Sequence, residues 1–128
     1  MPVASDTVAS DTAARTEAVL QAWRAEHPGH HALVLVDEQR AAGRLLVANE
    51  PKHARAPSRP YLRILGTSAT GLEVTVFLDL TRLTVARVAL KSVAAGVPGI
   101  GWNGKGEVTA PVSDLDLCRR VIDAVFAA

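Results

Sequence analysis

Leu72-Glu-Val-Thr-Val-Phe-Leu78 decides the fold. Leu72, Val74, Val76 and Leu78 fall on one side of an extended chain, the period of two expected of a strand with one buried face. Tyr61-Leu-Arg-Ile-Leu65 is a second apolar strand, joined to the first across Gly66-Thr-Ser-Ala-Thr-Gly71. Downstream lies Gly96-Val-Pro-Gly-Ile-Gly-Trp-Asn-Gly-Lys-Gly106, with five glycines in eleven residues, a run built for backbone freedom. Glu107 to Val112 follows as a last strand, and Ser113 is placed to cap a final helix. Leu115, Cys118, Val121, Ile122, Val125 and Phe126 give that helix an apolar stripe, while Asp114 and Asp116 suit its N-terminal dipole.

Working back towards the N-terminus, Thr81 to Val93 carries both a strand period and a helix period, and the helical one is preferred. Arg44 to Ala48 reads as a strand, Arg40 to Gly43 as a turn and Ala32-Leu-Val-Leu-Val36 as a central strand paired with Arg44 to Ala48 in a hairpin. Asn49 to Pro60 is a basic, proline-containing connection. Asp11 or Thr12 opens a first helix whose Val19, Leu20, Trp23 and His27 share one face, and Pro28 stops it. Residues 1–10, with the repeat Val-Ala-Ser-Asp-Thr, are expected to be a disordered tail and 11–128 a single domain. The expected fold is therefore α+β: an antiparallel sheet of about five strands flanked by an N-terminal and a C-terminal helix.

Composition narrows the class of protein. A chain of 128 residues, 48% hydrophobic, fits one domain with its own core. The single cysteine, Cys118, permits no internal disulfide, which suits a reducing, cytoplasmic setting. No apolar stretch is long enough to span a membrane, and none resembles a secretory leader. The net charge of +1 hides a gradient: residues 39–105 hold ten Lys or Arg against three acidic residues, whereas both ends are acidic. Such a basic middle is a candidate contact for nucleic acid or for an acidic protein surface.

Four patterns bear on chemistry. Gly99-Ile-Gly-Trp-Asn-Gly104 fits the dinucleotide-loop spacing, but a strand follows it where phosphate binding needs a helix N-terminus. Asp37, then a hairpin, then Glu50 and Lys52 is the order of a metal-dependent nuclease site, in which two carboxylates hold the cation and the lysine positions water. Pro51 inside that motif argues against it. His27, His30 and His31 cluster without the cysteine or histidine pairs of a structural metal site, and Cys118 has no base assigned beside it. No cofactor or metal is therefore expected. The binding candidates are Lys52, Arg55, Arg59, Arg63 and Lys105 for phosphate, with Trp102 and Asn103 beside them in the glycine-rich run. A homo-oligomer holding a small ligand under that run is a further alternative.

The strand Leu72 to Leu80, the run Gly101-Trp-Asn-Gly-Lys-Gly-Glu-Val108 and the closing Val112 to Phe126 resemble a family of small bacterial domains. These occur alone or attached to restriction-endonuclease-like modules. The resemblance spans about residues 72–126 and implies a fold and an association with nucleic-acid processing. It implies no activity and contains no catalytic residue.

Overall fold

The computed structural model describes residues 3–49 and 60–128. They form an α+β domain in the order α1 (Val3–Glu26), α2 (His31–Ala41), β1 (Leu45–Ala48), β2 (Leu62–Thr67), β3 (Glu73–Leu78), β4 (Arg82–Val85), α3 (Val88–Ala95), β5 (Gly101–Trp102), β6 (Val108–Pro111) and α4 (Leu115–Ala127). The strands make one sheet of six, ordered β1-β2-β3-β4-β6-β5, and every neighbouring pair is antiparallel.

Two strands are gained over the expected five and one is lost. Thr81 to Val93 holds both of its competing periods in succession, as β4 and then α3, with Leu83 and Val85 buried from the strand and Leu90 and Ala94 from the helix. The glycine-rich run supplies the short edge strand β5, paired to β6 through Gly101 with Thr109 and Trp102 with Val108.

The largest departure from expectation is residues 32–36. They belong to α2, so the hairpin with residues 44–48 does not exist, and β1 pairs with β2 instead. A short apolar run does not distinguish a strand from a buried helical segment. Here the burial of Ala32, Leu33, Leu35, Val36 and Gln39 follows helical spacing into a polar stretch of good helix formers. Gly43, at φ +85°, then ends α2: its amide donates to Arg40 O and that of Arg44 to Gln39 O, the two bonds of a left-handed glycine cap. Helix α1 begins at Val3, ahead of the Asp11 or Thr12 cap and inside the stretch read as a tail. At the other end, Asp114 caps α4 in place of Ser113, its carboxylate accepting from Leu117 N at 3.1 Å.

Leu46, Ala48, Leu62, Ile64, Val74, Val76, Leu78, Leu83, Val85, Val108 and Ala110 are all buried, and the register puts them on one face of the sheet. Leu20, Trp23, Leu35, Val36, Leu90, Leu117, Val121, Ile122 and Val125 complete the core from the helices. Arg119 on α4 grips Glu38 on α2, with Nε 3.0 Å and 3.1 Å from the two carboxylate oxygens. This hydrogen bond holds the Glu38 carboxyl below its ordinary pKa.

Helix α1 also closes the β1 edge. Thr16, only 2% exposed, donates its hydroxyl proton to Thr12 O at 2.8 Å and accepts the Ala48 amide at 3.0 Å. Thr16→Val keeps the shape and strands that buried amide, so unfolding stability should fall by about 1–3 kcal/mol in a denaturant titration. Thr16→Ser should recover most of the loss, and equal stability of Thr16→Val and the parent would contradict this role.

Candidate functional site

The face of the sheet turned away from the helices is set by the same alternation. Three rows cross it. Val47, Arg63, Phe77, Thr84 and Thr109 stand in register across five strands, ending at Gly101 on the sixth. Beside them run Tyr61, Asp79 and Arg82 on one side, and Leu65 and Thr75 on the other. None of these residues is fully buried. Tyr61 and Phe77 are diagonal neighbours whose rings meet edge to face with centroids 5.7 Å apart. With Thr84 they line a shallow basin of about 250 Å³ that Asp79, Arg82, Asn103 and Glu107 also border.

The charged groups on this face differ in how they are used. Asp79 accepts from the Thr81 amide and hydroxyl, both at 2.7 Å, and from the Arg82 amide at 2.8 Å, so it organises the β3–β4 turn. Glu107 accepts from Asn103 Nδ2 at 2.8 Å, and Glu73 pairs with Arg87 at 3.1 Å. Arg63, Arg82 and Lys105, in contrast, form no ion pair among the described residues.

The glycine-rich run resolves into three parts. Gly96 ends α3, Gly99 turns the chain at φ +95°, and Asn103 to Glu107 is a hairpin tip with Gly106 at φ +73°. Asn103 holds that tip: its Oδ1 accepts the amides of Lys105 at 2.9 Å and Glu107 at 3.0 Å, while its backbone closes the turn with Gly106 and Glu107. Asn103 is thus a turn organiser at the basin's rim, and Lys105 projects from an ordered tip. Trp102 lies in register with Val108 and Val85, on the helix-covered side, and is 57% exposed at the sheet edge. The structure therefore separates Trp102 from Arg63, placing them on opposite faces and bringing only Asn103 and the hairpin tip to the basin.

Asp37 sits on α2, not at a strand end, and pairs with Arg24 at 3.1 Å. Its partners in the nuclease arrangement, Glu50 and Lys52, lie outside the described residues, as do Arg55 and Arg59. Burial, with the Asp114 charge, pushes the Cys118 thiol up to about 11, and its Sγ lies 3.3 Å from Pro111 O, as a packed and protonated side chain. Among the described residues no group of three or more His, Cys, Asp or Glu side chains is placed to hold a metal ion. No described helix is long and apolar enough to cross a membrane.

Tyr61, Phe77 and Arg82 escaped the sequence reading, although a signal was present. Phe77 is out of phase with Val74, Val76 and Leu78, and Tyr61 with Leu62 and Ile64, so each aromatic falls on the face expected to be polar. Comparison with protein families, curated proteins and solved structures finds no match to this chain.

The histidines do structural work at the start of α2. His30 Nδ1 accepts the Ala32 amide at 3.0 Å, so the neutral ring carries its proton on Nε2. His31 Nδ1 donates to Val112 O at 2.9 Å. His27 and His30, with Val19, Ala22, Trp23 and Leu80, line a mostly apolar groove of about 750 Å³ that meets the basin at Asp79. Partial burial, then the nearby His27 and His31, lower the His30 pKa from its ordinary 6.5. The unfolded chain therefore takes up this proton first as pH falls. The contribution of His30 is complete above pH 6.5 and should be lost as pH drops from there towards the folded-state value. His30→Asn keeps a capping oxygen without a proton to gain, so it should flatten stability against pH in that window by up to about one proton. An unchanged profile would contradict this.

Proposed function

We propose that this chain is a non-enzymatic nucleic-acid-binding module whose contact surface is the open face of the sheet. The observation that carries the reading is the unequal use of charge on that face. Asp79, Glu107 and Glu73 are occupied by internal donors, whereas Arg63, Arg82 and Lys105 have no counter-ion among the described residues. Cations that no carboxylate pairs with are available to the phosphates of a polyanion. The basic composition of residues 39–105 points the same way.

Fluorescence anisotropy with short DNA and RNA at two salt concentrations tests the proposal. Binding should be present at low salt and weaken with a log–log slope of roughly −2, from about −0.7 for each of three phosphate contacts. Arg63→Glu and Arg82→Glu should each weaken binding severalfold, whereas Arg24→Glu, on the helical side, should not. Absence of binding at low salt contradicts the reading. Equal binding of polyglutamate would reassign the face to an acidic protein surface.

A further inference from the structure

We infer that the open face takes single-stranded nucleic acid, with an unpaired base over the Tyr61–Phe77 pair and phosphates at the rim. This rests on the reading of the face as a nucleic-acid surface. Two rings in edge-to-face contact line the basin, held on neighbouring strands β2 and β3 by the sheet's own register. Edge-to-face packing leaves one ring's face free for a further partner, and every base has a π-face to offer.

The rim decides which part of the polymer enters. Asp79 and Glu107 are rim carboxylates, and each is already hydrogen-bonded within the fold. A phosphate laid across the basin would meet both, so the neutral base goes in and the backbone stays out. Cations stand where the backbone would then run. Arg63 is directly opposite Phe77 in the sheet register, and Arg82 stands on β4 across from Asp79. Their strands are two spacings apart, roughly 10 Å, so they flank a base seated between them. Lys105 projects from the hairpin whose Asn103 and Glu107 close the basin's side.

A duplex does not satisfy this arrangement. It presents only phosphates and groove edges, and its bases are stacked on each other, so the rings would be covered without a stacking partner. A single strand can splay one base onto the rings while its phosphates reach cations on either side. Thr84 and Thr109, in the same row as Arg63, offer hydroxyls beside the ribose.

The test uses one purine-containing sequence as single-stranded RNA, as single-stranded DNA and as the blunt duplex, by fluorescence anisotropy with the full chain. Either single strand should bind at least about tenfold more tightly than the duplex. Tyr61→Leu and Phe77→Leu should each weaken single-strand binding about tenfold, with the salt slope unchanged, since stacking contributes on the order of that factor per base. Tyr61→Phe should retain binding, and Arg63→Gln should lower the salt slope by about 0.7 while keeping the single-strand preference. Because Tyr61 is the only tyrosine, its ring protons can be followed by NMR in the parent protein and should move upfield as the single strand is added. That readout holds even where a leucine variant unfolds. Duplex binding equal to single-strand binding, or ring signals that do not move while the strand binds, overturns the stacking site and leaves the electrostatic surface standing. No binding by any of the three probes overturns both.

Discussion

One-sided burial governs this molecule. Five of the six antiparallel strands alternate buried and unburied residues in a common phase, so their apolar positions add up to a single face. Leu62, Ile64, Val76, Leu78, Leu83 and Ala110 are fully enclosed beneath the helices. A register slip of one residue would turn this set towards solvent, which is why the pairing is so strongly specified. The same constraint creates the opposite face. Whatever is out of phase with the core must stand on it, and that is how two aromatics and two arginines come to share one surface.

The helices and turns serve that sheet at its margins. Thr16 covers the β1 edge, a position where an unpaired strand would otherwise invite association. Glu38 and Arg119 tie α2 to α4, and Gly43 releases the chain from α2 into β1. On the far side Asn103 fixes the hairpin that ends the sheet. The hydrogen bonds that shape the turns also occupy the carboxylates of Asp79 and Glu107. Fold and surface charge are linked in this way: the acids are held by structure, whereas Arg63, Arg82 and Lys105 form no ion pair among the described residues.

Much of the fold was legible in the residues. The alternation of Leu72 to Leu78, the stripe of α4 and the stop at Pro28 each carry a period or a geometric prohibition that survives without tertiary context. The apolar run at Ala32–Val36 failed as a guide because four or five apolar residues suit either a buried strand or a helix, and only the His30 cap and the spacing out to Gln39 separate them. Thr81 to Val93 held two true signals in series where one was sought. The site was less legible. Arg63 follows from charge density and Lys105 from its place in the glycine-rich run, but Tyr61 and Phe77 acquire meaning only when their strands are laid in register. Trp102 drew attention by its glycine-rich setting, yet strand phase turns it to the other side of the sheet.

The central claim is that the open face, and not the helical side, is the binding surface. Amide chemical-shift mapping during titration with a short single-stranded oligonucleotide tests it most directly. The account predicts perturbations concentrated at residues 61–65, 75–79, 82–84 and 103–109, with α2 and α4 silent. Perturbations centred on the helices, or around Trp102 with the sheet rows unmoved, would contradict it.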